Sequence, residues 1–360
     1  MSNYDNFIGT REVSGAHRFD IPQIEKWLHA HMPGFEGPLS VQMFKGGQSN
    51  PTYQLITPKT NYVMRAKPGP VAKLLPSAHA IEREYKVMKG LQSTHVPVAQ
   101  MHVLCEDESI IGRAFYVMEF VQGRVLWEQS LPGMTTQQRR DIYLEMNRVI
   151  AELHRVNYQA QGLETYGKPG NYFERQIGRW SKQYVASVTQ DIPEMDKLMA
   201  WLPANMPESA RDGKTSIVHG DYRLDNLIFD EQQPRIKAVL DWELSTLGHP
   251  LADFSYHCMA WHIEPGNFRG IGGLDLKTLG IPQEDEYIQR YCDHTGFTTP
   301  DALRIDWNFY LAYNMFRIAA ILQGIAKRVE DGTASSEQAK ASGAGAKPMA
   351  QLAWKYAQHA

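Results

Sequence analysis

Cysteine is scarce in this chain: three in 360 residues, Cys105, Cys258 and Cys292, far apart and with no C-x-x-C pair. That usage argues against a disulfide framework and reads as reduced thiols in a cytoplasmic protein. An excess of one charge is also missing. Thirty-seven basic and 40 acidic residues are mixed along the chain and leave a net charge of −3, without the basic patch that nucleic acid or an anionic membrane surface calls for. No apolar run approaches the roughly 20 residues that span a bilayer. The leader MSNYDNFIGTREVSG lacks the apolar core of a signal peptide, and no fixed-period repeat occurs. The expectation is a soluble cytoplasmic protein that binds neither membrane nor nucleic acid.

What is present can build a sizeable core. With 43% hydrophobic and 21% charged residues, the chain has the material for two lobes. Asp20 caps a helix on which Ile21, Ile24, Trp27 and Leu28 share a face. Strand signals follow at LSVQMFKGG, PTYQLIT and NYVMRAK, punctuated by Gly, Asn and Pro, the pattern of an antiparallel meander. Ser77 opens a helix with Ile81, Tyr85, Met88 and Leu91 on one side, and two more strands lie in AQMHVLCED and AFYVMEFV. Past a connector near 119–125 the pattern becomes helical, over 136–156, 172–189, 194–202, 283–294 and 301–329, with strands at 216–218, 226–229 and 235–241. The Gly/Ala/Ser-rich stretch 331–347 reads as a mobile linker before a short terminal helix. The domain expectation is 1–121, 122–330 and 331–360.

The chemistry concentrates at a strand end, in SIVHGDYRLDNLIFD. His219, Asp221 and Asn226 have the spacing H-x-D-x-x-x-x-N. Phosphoryl transfer to a hydroxyl needs a carboxylate to take the hydroxyl proton and oxygen ligands to hold Mg²⁺ against a triphosphate. Asp221 supplies the first, and the Asn226 amide oxygen suits a hard cation. RIKAVLDWE is a strand ending in Asp241, separated from NLIF by the turn Asp230–Pro234, so a hairpin brings Asn226 and Asp241 to the same end. Asp241 is the expected second ligand. A polar loop with no chemistry would not need all of these groups together. His249, His257, Cys258 and His262 do not have the spacing of a closed zinc site.

VHGDYRLDNLIFD followed by VLDWELSTLGHPLADFSY resembles the aminoglycoside phosphotransferase and choline kinase superfamily, relatives of the protein kinases, over about Leu39 to Ile325. The resemblance implies an α+β, bilobal, protein-kinase-like fold with a small antiparallel-sheet N-lobe and a larger, mainly helical C-lobe. It implies Mg²⁺ and ATP as cofactors and a small hydroxylated metabolite as acceptor. It makes Asp221 the catalytic base, Asn226 and Asp241 the metal ligands, and Asp253 a carboxylate that braces the catalytic loop through His219. Asp241-Trp242-Glu243 fits the small-molecule branch, with Trp242 and Glu243 carried as substrate-side residues, and no A-P-E segment follows.

On the nucleotide side, KGGQSNPTY has glycines whose N–H groups can approach phosphate; Gly46, Gly47, Ser49 and Asn50 are the candidates, with an ordinary hairpin turn as the alternative. The resemblance matches Arg65 to the basic position of the third strand, with Lys67 on the same face left open. It pairs that cation with Glu84, or in second place Glu82. It puts the backbone of Glu119 and Val121 against adenine, with Met118 beneath the ring.

Further stretches, among them NYFERQIGRWSKQY, resemble the kinase-like domain of acyl-CoA dehydrogenase family members ten and eleven. With no dehydrogenase region in the sequence, a stand-alone bacterial-type homologue is expected. Arg175, Arg179 and Lys182 at i, i+4 and i+7 share a helix face near Phe173, Trp180 and Tyr184. That face is either solvated or an anion site for coenzyme A phosphates, and the resemblance implies a hydroxyacyl-CoA acceptor. The alternatives carried are an aminoglycoside-type kinase and a catalytically inactive nucleotide-binding module.

Overall fold

The computed structural model describes residues 8–45, 50–68, 80–266, 268–333 and 337–360, with the side chains of 337 and 338 excepted. Two compact units emerge. One comprises 1–127, 158–166 and 224–245; the other comprises 128–157, 167–223 and 246–360. The sheet-bearing unit therefore takes up two later segments of chain, the second of which begins inside the H-x-D-x-x-x-x-N stretch.

In the first unit an antiparallel six-stranded sheet runs in the order Thr10–Arg11, Ser40–Phe44, Thr52–Ile56, Asn61–Ala66, Phe115–Glu119, Met101–Cys105. Five of these strands were legible from alternation and turn residues. The two-residue strand Thr10–Arg11 is too short to show a period. Tyr53, Leu55, Met64 and Ala66 bury one face of the sheet against Ile24 and Leu28 of the helix Ile21–His31. Of these, Ile24, Leu28, Leu55 and Met64 each contribute about 1.5–3 kcal/mol when fully buried. The helix starts where expected, with Asp20 Oδ1 accepting the Gln23 N–H at 3.0 Å. Phe115–Met118 is buried along its length, as befits an interior strand with a continuous apolar run. Ser77 lies outside the described residues.

A second group of strands in this unit has the order Ile236–Val239, Leu227–Phe229, Arg124–Val125. Val239 pairs with Leu227, and the Leu240 N–H donates to the Asn226 carbonyl at 2.8 Å. Asn226 and Asp241 therefore sit at the same end of the hairpin, as the spacing predicts.

The second unit is mainly helical. Its helix Thr136–Arg155 opens on a capping box between Thr135 and Gln138 and buries Ile142, Met146, Val149, Ile150 and Leu153. The expected helix over 301–329 is two, Pro300–Ile305 and Trp307–Glu330, divided at Asp306. Strand Ser216–Val218 pairs with Thr246–Gly248, and the helix Pro250–Cys258 follows with every residue buried. Sequence reading missed Thr246–Gly248, which is too short to show a period, and Pro250–Cys258, which is buried all round and has no amphipathic one. The stretch read as a linker is instead helical over Glu337–Ala344. Its small residues permit close helix packing: a Cβ on Gly343 would lie 2.9 Å from the Ala326 Cα. Among the described residues no helix is long and apolar enough to cross a membrane.

Candidate active site

In the helical unit, strand Ser216–Val218 delivers the chain into His219-Gly220-Asp221. Gly220 has φ +83°, a conformation that glycine adopts without steric cost. That turn aims two successive N–H groups at one carboxylate. Asp253 Oδ2 accepts the His219 N–H at 2.7 Å, and Oδ1 accepts the Gly220 N–H at 2.8 Å. The Gly220 carbonyl is held by Arg317 of helix Trp307–Glu330, whose Nη2 donates at 2.7 Å. The turn is thus gripped by a carboxylate on two of its donors and a guanidinium on one of its acceptors.

Asp253 braces the loop as expected, but through backbone N–H groups rather than the His219 imidazole. The imidazole instead steadies the base, since His219 Nδ1 accepts the Asp221 N–H at 3.2 Å. Burial alone would raise the Asp253 carboxyl. The hydrogen bond from His154 and the backbone N–H of His219 outweigh it and hold Asp253 below the usual carboxylate range. His154 Nε2 lies 3.1 Å from Asp253 Oδ2, while its Nδ1 lies 2.7 Å from the Tyr291 hydroxyl. The network fits an Nε2–H tautomer that donates to Asp253 and accepts from Tyr291.

The Asp221 carboxylate is held at both oxygens. The Tyr256 hydroxyl donates to Oδ1 at 2.5 Å, and Arg223 Nε lies 3.4 Å from Oδ2. Asp253 and Tyr256 stand three apart on helix Pro250–Cys258, so one face of it positions both the loop backbone and its carboxylate. Burial, and then the charge of Asp221, raise the Tyr256 phenol. His154, Tyr256, Arg223 and Arg317 were not read from the sequence. Only Arg223 carried a signal, as a cation two residues beyond the base.

In the sheet-bearing unit, register places Arg65 opposite Tyr116. Arg65 Nε lies 3.0 Å from Glu84 Oε2, and the Tyr116 hydroxyl donates to the same oxygen at 3.0 Å. Asn50 Nδ2 donates to Glu84 Oε1 at 2.9 Å, which accounts for a fully buried asparagine at the edge of the expected phosphate loop. The two open choices resolve into two pairs: Arg65 with Glu84, buried, and Lys67 with Glu82, 3.2 Å apart and more exposed.

The other Arg65 nitrogen, Nη2, lies 3.2 Å from Asp241 Oδ1 and 3.8 Å from Glu243 Oε2. Burial pushes the Glu84 carboxyl up, to about 7, against the pull of Arg65. Burial would also lower Arg65, but Glu84, Tyr116, Asp241 and Glu243 together keep it raised. The decisive direction is that of the cation, on which three carboxylates converge. Asp241 itself has φ +61°, a left-handed conformation uncommon outside glycine that is worth about 1–3 kcal/mol of strain.

These residues fit a divalent cation. An amide oxygen and a carboxylate, Asn226 and Asp241, are brought to one hairpin end, and the carboxylates around Asp241 outnumber the single guanidinium. Oxygen donors and unbalanced negative charge are what Mg²⁺ selects.

Of the remaining expected residues, Gly46, Gly47 and Ser49 lie outside the described residues. Met118 is buried, and the Glu119 N–H donates to the Gln100 carbonyl at 2.8 Å, so Glu119 can offer an adenine only its carbonyl. Trp242 is not a substrate residue: it is 1% exposed, and its indole donates to the Val239 carbonyl at 2.9 Å. Arg175 is engaged with the carbonyls of Gly170 and Lys168, at the start of its own helix. Phe173, Trp180 and Tyr184 are core residues, and of the exposed Arg179 and Lys182 the Arg179 guanidinium lies 5.4 Å from the centre of the Trp180 ring. No cluster of three or more His, Cys, Asp or Glu side chains is placed to hold a metal among the described residues.

Known proteins resemble this chain in profile, in sequence and in fold. The phosphotransferase enzyme family profile matches residues 40–305. A Ralstonia eutropha protein of known crystal structure, provisionally named an aminoglycoside phosphotransferase, is 62% identical, with TM-score 0.88 over 95% of this chain and 99% of that one. Acyl-CoA dehydrogenase family member 10 of Mus musculus is 46% identical over 94% of this chain; the chain spans about a third of that relative, 31% of its length. At 17% identity, a thermostable mutant of an aminoglycoside phosphotransferase, in ternary complex with AMP-PNP and hygromycin B, shares the fold with TM-score 0.58 over 93% of this chain and 98% of that one.

Proposed function

Since this chain belongs to the phosphotransferase enzyme family and has the protein-kinase-like α+β fold, we propose that it phosphorylates the acyl-chain hydroxyl of a small metabolite, in its natural setting a hydroxyacyl-CoA, at the expense of ATP. The class, phosphotransfer to a hydroxyl, is a property of the family. The acceptor, the metal and the residue roles are inferred.

The observation that carries the roles is the way Asp221 is held. A catalytic base must be in position before the substrate arrives, because orientation supplies much of the rate. Asp221 is fixed by Tyr256 and Arg223 at its oxygens and by His219 at its N–H, on a loop whose preceding peptide is clamped by Asp253 and Arg317. As the acceptor oxygen attacks the terminal phosphorus and the bond to the nucleotide's bridging oxygen breaks, Asp221 takes the hydroxyl proton. Arg65, oriented by Glu84, would offset the charge of the nucleotide phosphates. Asn226 and Asp241 would hold Mg²⁺, which supplies further charge neutralisation when bound.

Two observations bear on the acceptor. The mouse relative is named, as a whole protein, an acyl-CoA dehydrogenase family member, and 31% of it matches this chain, which supports a coenzyme A-linked acceptor. The Ralstonia relative's name favours a second reading, an aminoglycoside kinase. A polycationic drug calls for converging carboxylates near the base, whereas Asp221 has a guanidinium beside it. The test is ADP release with Mg-ATP and matched concentrations of 4-hydroxyacyl-CoA, the free hydroxy acid, choline and kanamycin. Turnover highest with the thioester is expected; preference for kanamycin would establish the second reading.

A further inference from the structure

The helix Ile81–Leu91 carries Glu84 to Arg65, and another of its faces borders a groove that the proposed chemistry does not use. Glu82, Tyr85, Lys86 and Lys89 stand at i, i+3, i+4 and i+7, so one side of the helix presents all four. Leu104 and residues 160–163 complete the lining, and all of it belongs to the sheet-bearing unit. The groove has a volume of about 570 Å³. Sites for small molecules run from about 300 to 1,000 Å³.

Its walls are tied to each other. Lys86 Nζ donates to Thr165 Oγ1 at 2.9 Å, and Ser93 Oγ donates to Gln161 Oε1 at 2.7 Å. The Arg83 guanidinium lies 4.5 Å from the centre of the Tyr166 ring. A Cβ on Gly90 would lie 3.0 Å from Leu163 Cδ1, so the helix and the segment Tyr158–Tyr166 meet closely there. Residues of the lining make most of these ties themselves, which fixes the width of the space.

The lining is more apolar than polar, with Tyr85, Leu104 and Leu163 supplying the larger side chains. Lys86 and Lys89 add two cations. Their bonded partners are neutral: the Thr165 hydroxyl and, for Lys89, the Met101 carbonyl at 3.3 Å. Glu82, the carboxylate of the lining, is 3.2 Å from Lys67 and committed to it. Positive charge is therefore left over beside apolar walls. Both lysines are exposed, so an incoming anion meets them without a large cost in lost hydration. A cation would be repelled, and a polyphosphate would leave the apolar walls unused.

We propose that this groove binds an amphipathic carboxylate as an effector, its anionic group on Lys86 and Lys89 and its chain along Tyr85, Leu104 and Leu163. The route to the nucleotide side is short. The Tyr85 ring packs on Tyr116, with centroids 6.2 Å apart, and the Tyr116 hydroxyl donates to the Glu84 oxygen that faces Arg65. An occupant touching both helix and segment stabilises the helix position in which Glu84 orients Arg65, so nucleotide binds more tightly. The site itself stands on the groove, while the meaning of the coupling rests on the phosphotransferase reading.

The test is calorimetry on the full chain with octanoate, 4-hydroxyoctanoate and uncharged octanamide, each with and without Mg²⁺ and AMP-PNP. The variants are Lys86→Gln/Lys89→Gln and the charge-retaining Lys86→Arg/Lys89→Arg, with melting temperature as the folding check. Loss of the charge-assisted contacts should weaken octanoate about tenfold in the Gln pair, and octanamide should bind the parent about as weakly. The Arg pair should keep most of the affinity. AMP-PNP and octanoate should tighten each other by one and the same factor, about fivefold, as linkage requires. Tighter binding of 4-hydroxyoctanoate than of octanoate marks the acceptor's own acyl acid as the effector; equal binding marks a general fatty acid. Octanamide binding as well as octanoate, or octanoate binding unchanged in the Gln pair, overturns the site. Lysine-dependent binding without a mutual effect overturns the effector role. Octanoate-responsive AMP-PNP binding in a chain that phosphorylates no acceptor keeps the inference and defeats the phosphotransferase reading instead.

Discussion

Asp253 holds His219 by its backbone N–H, at 2.7 Å, and not by its imidazole. The same carboxylate takes the Gly220 N–H, so both oxygens are committed to the loop. Asp253→Ala leaves two buried N–H donors and His154 without that acceptor. Breaking a buried charged network this way costs about 3–5 kcal/mol. We expect a melting temperature lower by many degrees and little turnover. Asp253→Asn keeps the shape but turns one acceptor into a donor facing an N–H, and should lie between. A parental melting temperature in Asp253→Ala would mean that the loop is held some other way.

Asp221→Asn should fold normally and still bind Mg-ATP, because its contacts with Tyr256 and His219 survive as neutral hydrogen bonds. What it loses is the proton acceptor, a deficit of about 10²–10⁴-fold in kcat. Tyr256→Phe removes only the positioning contact, so its loss should be smaller. Single-turnover rates on pre-bound nucleotide separate the two effects, and an Asp221→Asn enzyme turning over at the parental rate would remove this carboxylate from the mechanism.

Arg65→Ala strands the buried Glu84 carboxylate and lets Asp241 and Glu243 repel each other, so it should destabilise by about 3–5 kcal/mol. Glu84→Gln keeps an acceptor for Arg65 and the Tyr116 hydroxyl but weakens the orientation of the cation. Its expected signature is a several-fold rise in KM for ATP with a nearly unchanged KM for the acceptor. A rise confined to the acceptor would place Arg65 on the wrong substrate.

Most of the sheet and long helices could be read in advance because each buries one face and shows a period. The H-x-D-x-x-x-x-N spacing and the hairpin after it carried Asp221, Asn226 and Asp241, since local chain geometry alone brings Asn226 and Asp241 to one end. What could not be read were partners distant in sequence. His154, Tyr256 and Arg317 reach the loop from three helices, and nothing at those positions differs locally from an ordinary buried polar residue. Trp242 erred the opposite way: its place beside Asp241 suggested substrate contact, but its apolar area decided for the core. Arg175 looked like part of a cationic stripe until its helix start claimed the guanidinium.

Asn226→Ala and Asp241→Ala should shift the Mg²⁺ dependence of nucleotide binding without acting alike. Asp241→Ala also removes a carboxylate from Arg65 and keeps a Cβ at a left-handed position that Asp tolerates better than Ala, so Asp241→Gly is the better backbone control. Both Asp241 variants should need several-fold more Mg²⁺ to reach half-saturation of a fluorescent ATP analogue. Titrations that superimpose on the parental curve would move the metal elsewhere.

His257 is a buried imidazole outside the proposed chemistry, and it should make the fold acid-sensitive. Its Nε2 lies 2.8 Å from the Tyr287 hydroxyl. Burial drives its pKa down from 6.5 to about 4, although the charge of Asp253 and a backbone hydrogen bond with Tyr222 oppose the shift. The folded chain therefore refuses a proton that the unfolded chain accepts. Between about 6.5 and 4 the unfolded state binds more protons, so stability is full above that window and falls as pH falls through it. With these values the folded state loses about 2 kcal/mol at this one group between pH 7.5 and pH 5. His257→Gln can still accept from Tyr287 and cannot protonate, so its acid loss should be smaller by that amount even if its stability at pH 7.5 is lower. Urea unfolding of both proteins at the two pH values measures the difference. Equal acid losses in parent and variant would mean that His257 takes up its proton in the folded chain as readily as in the unfolded one.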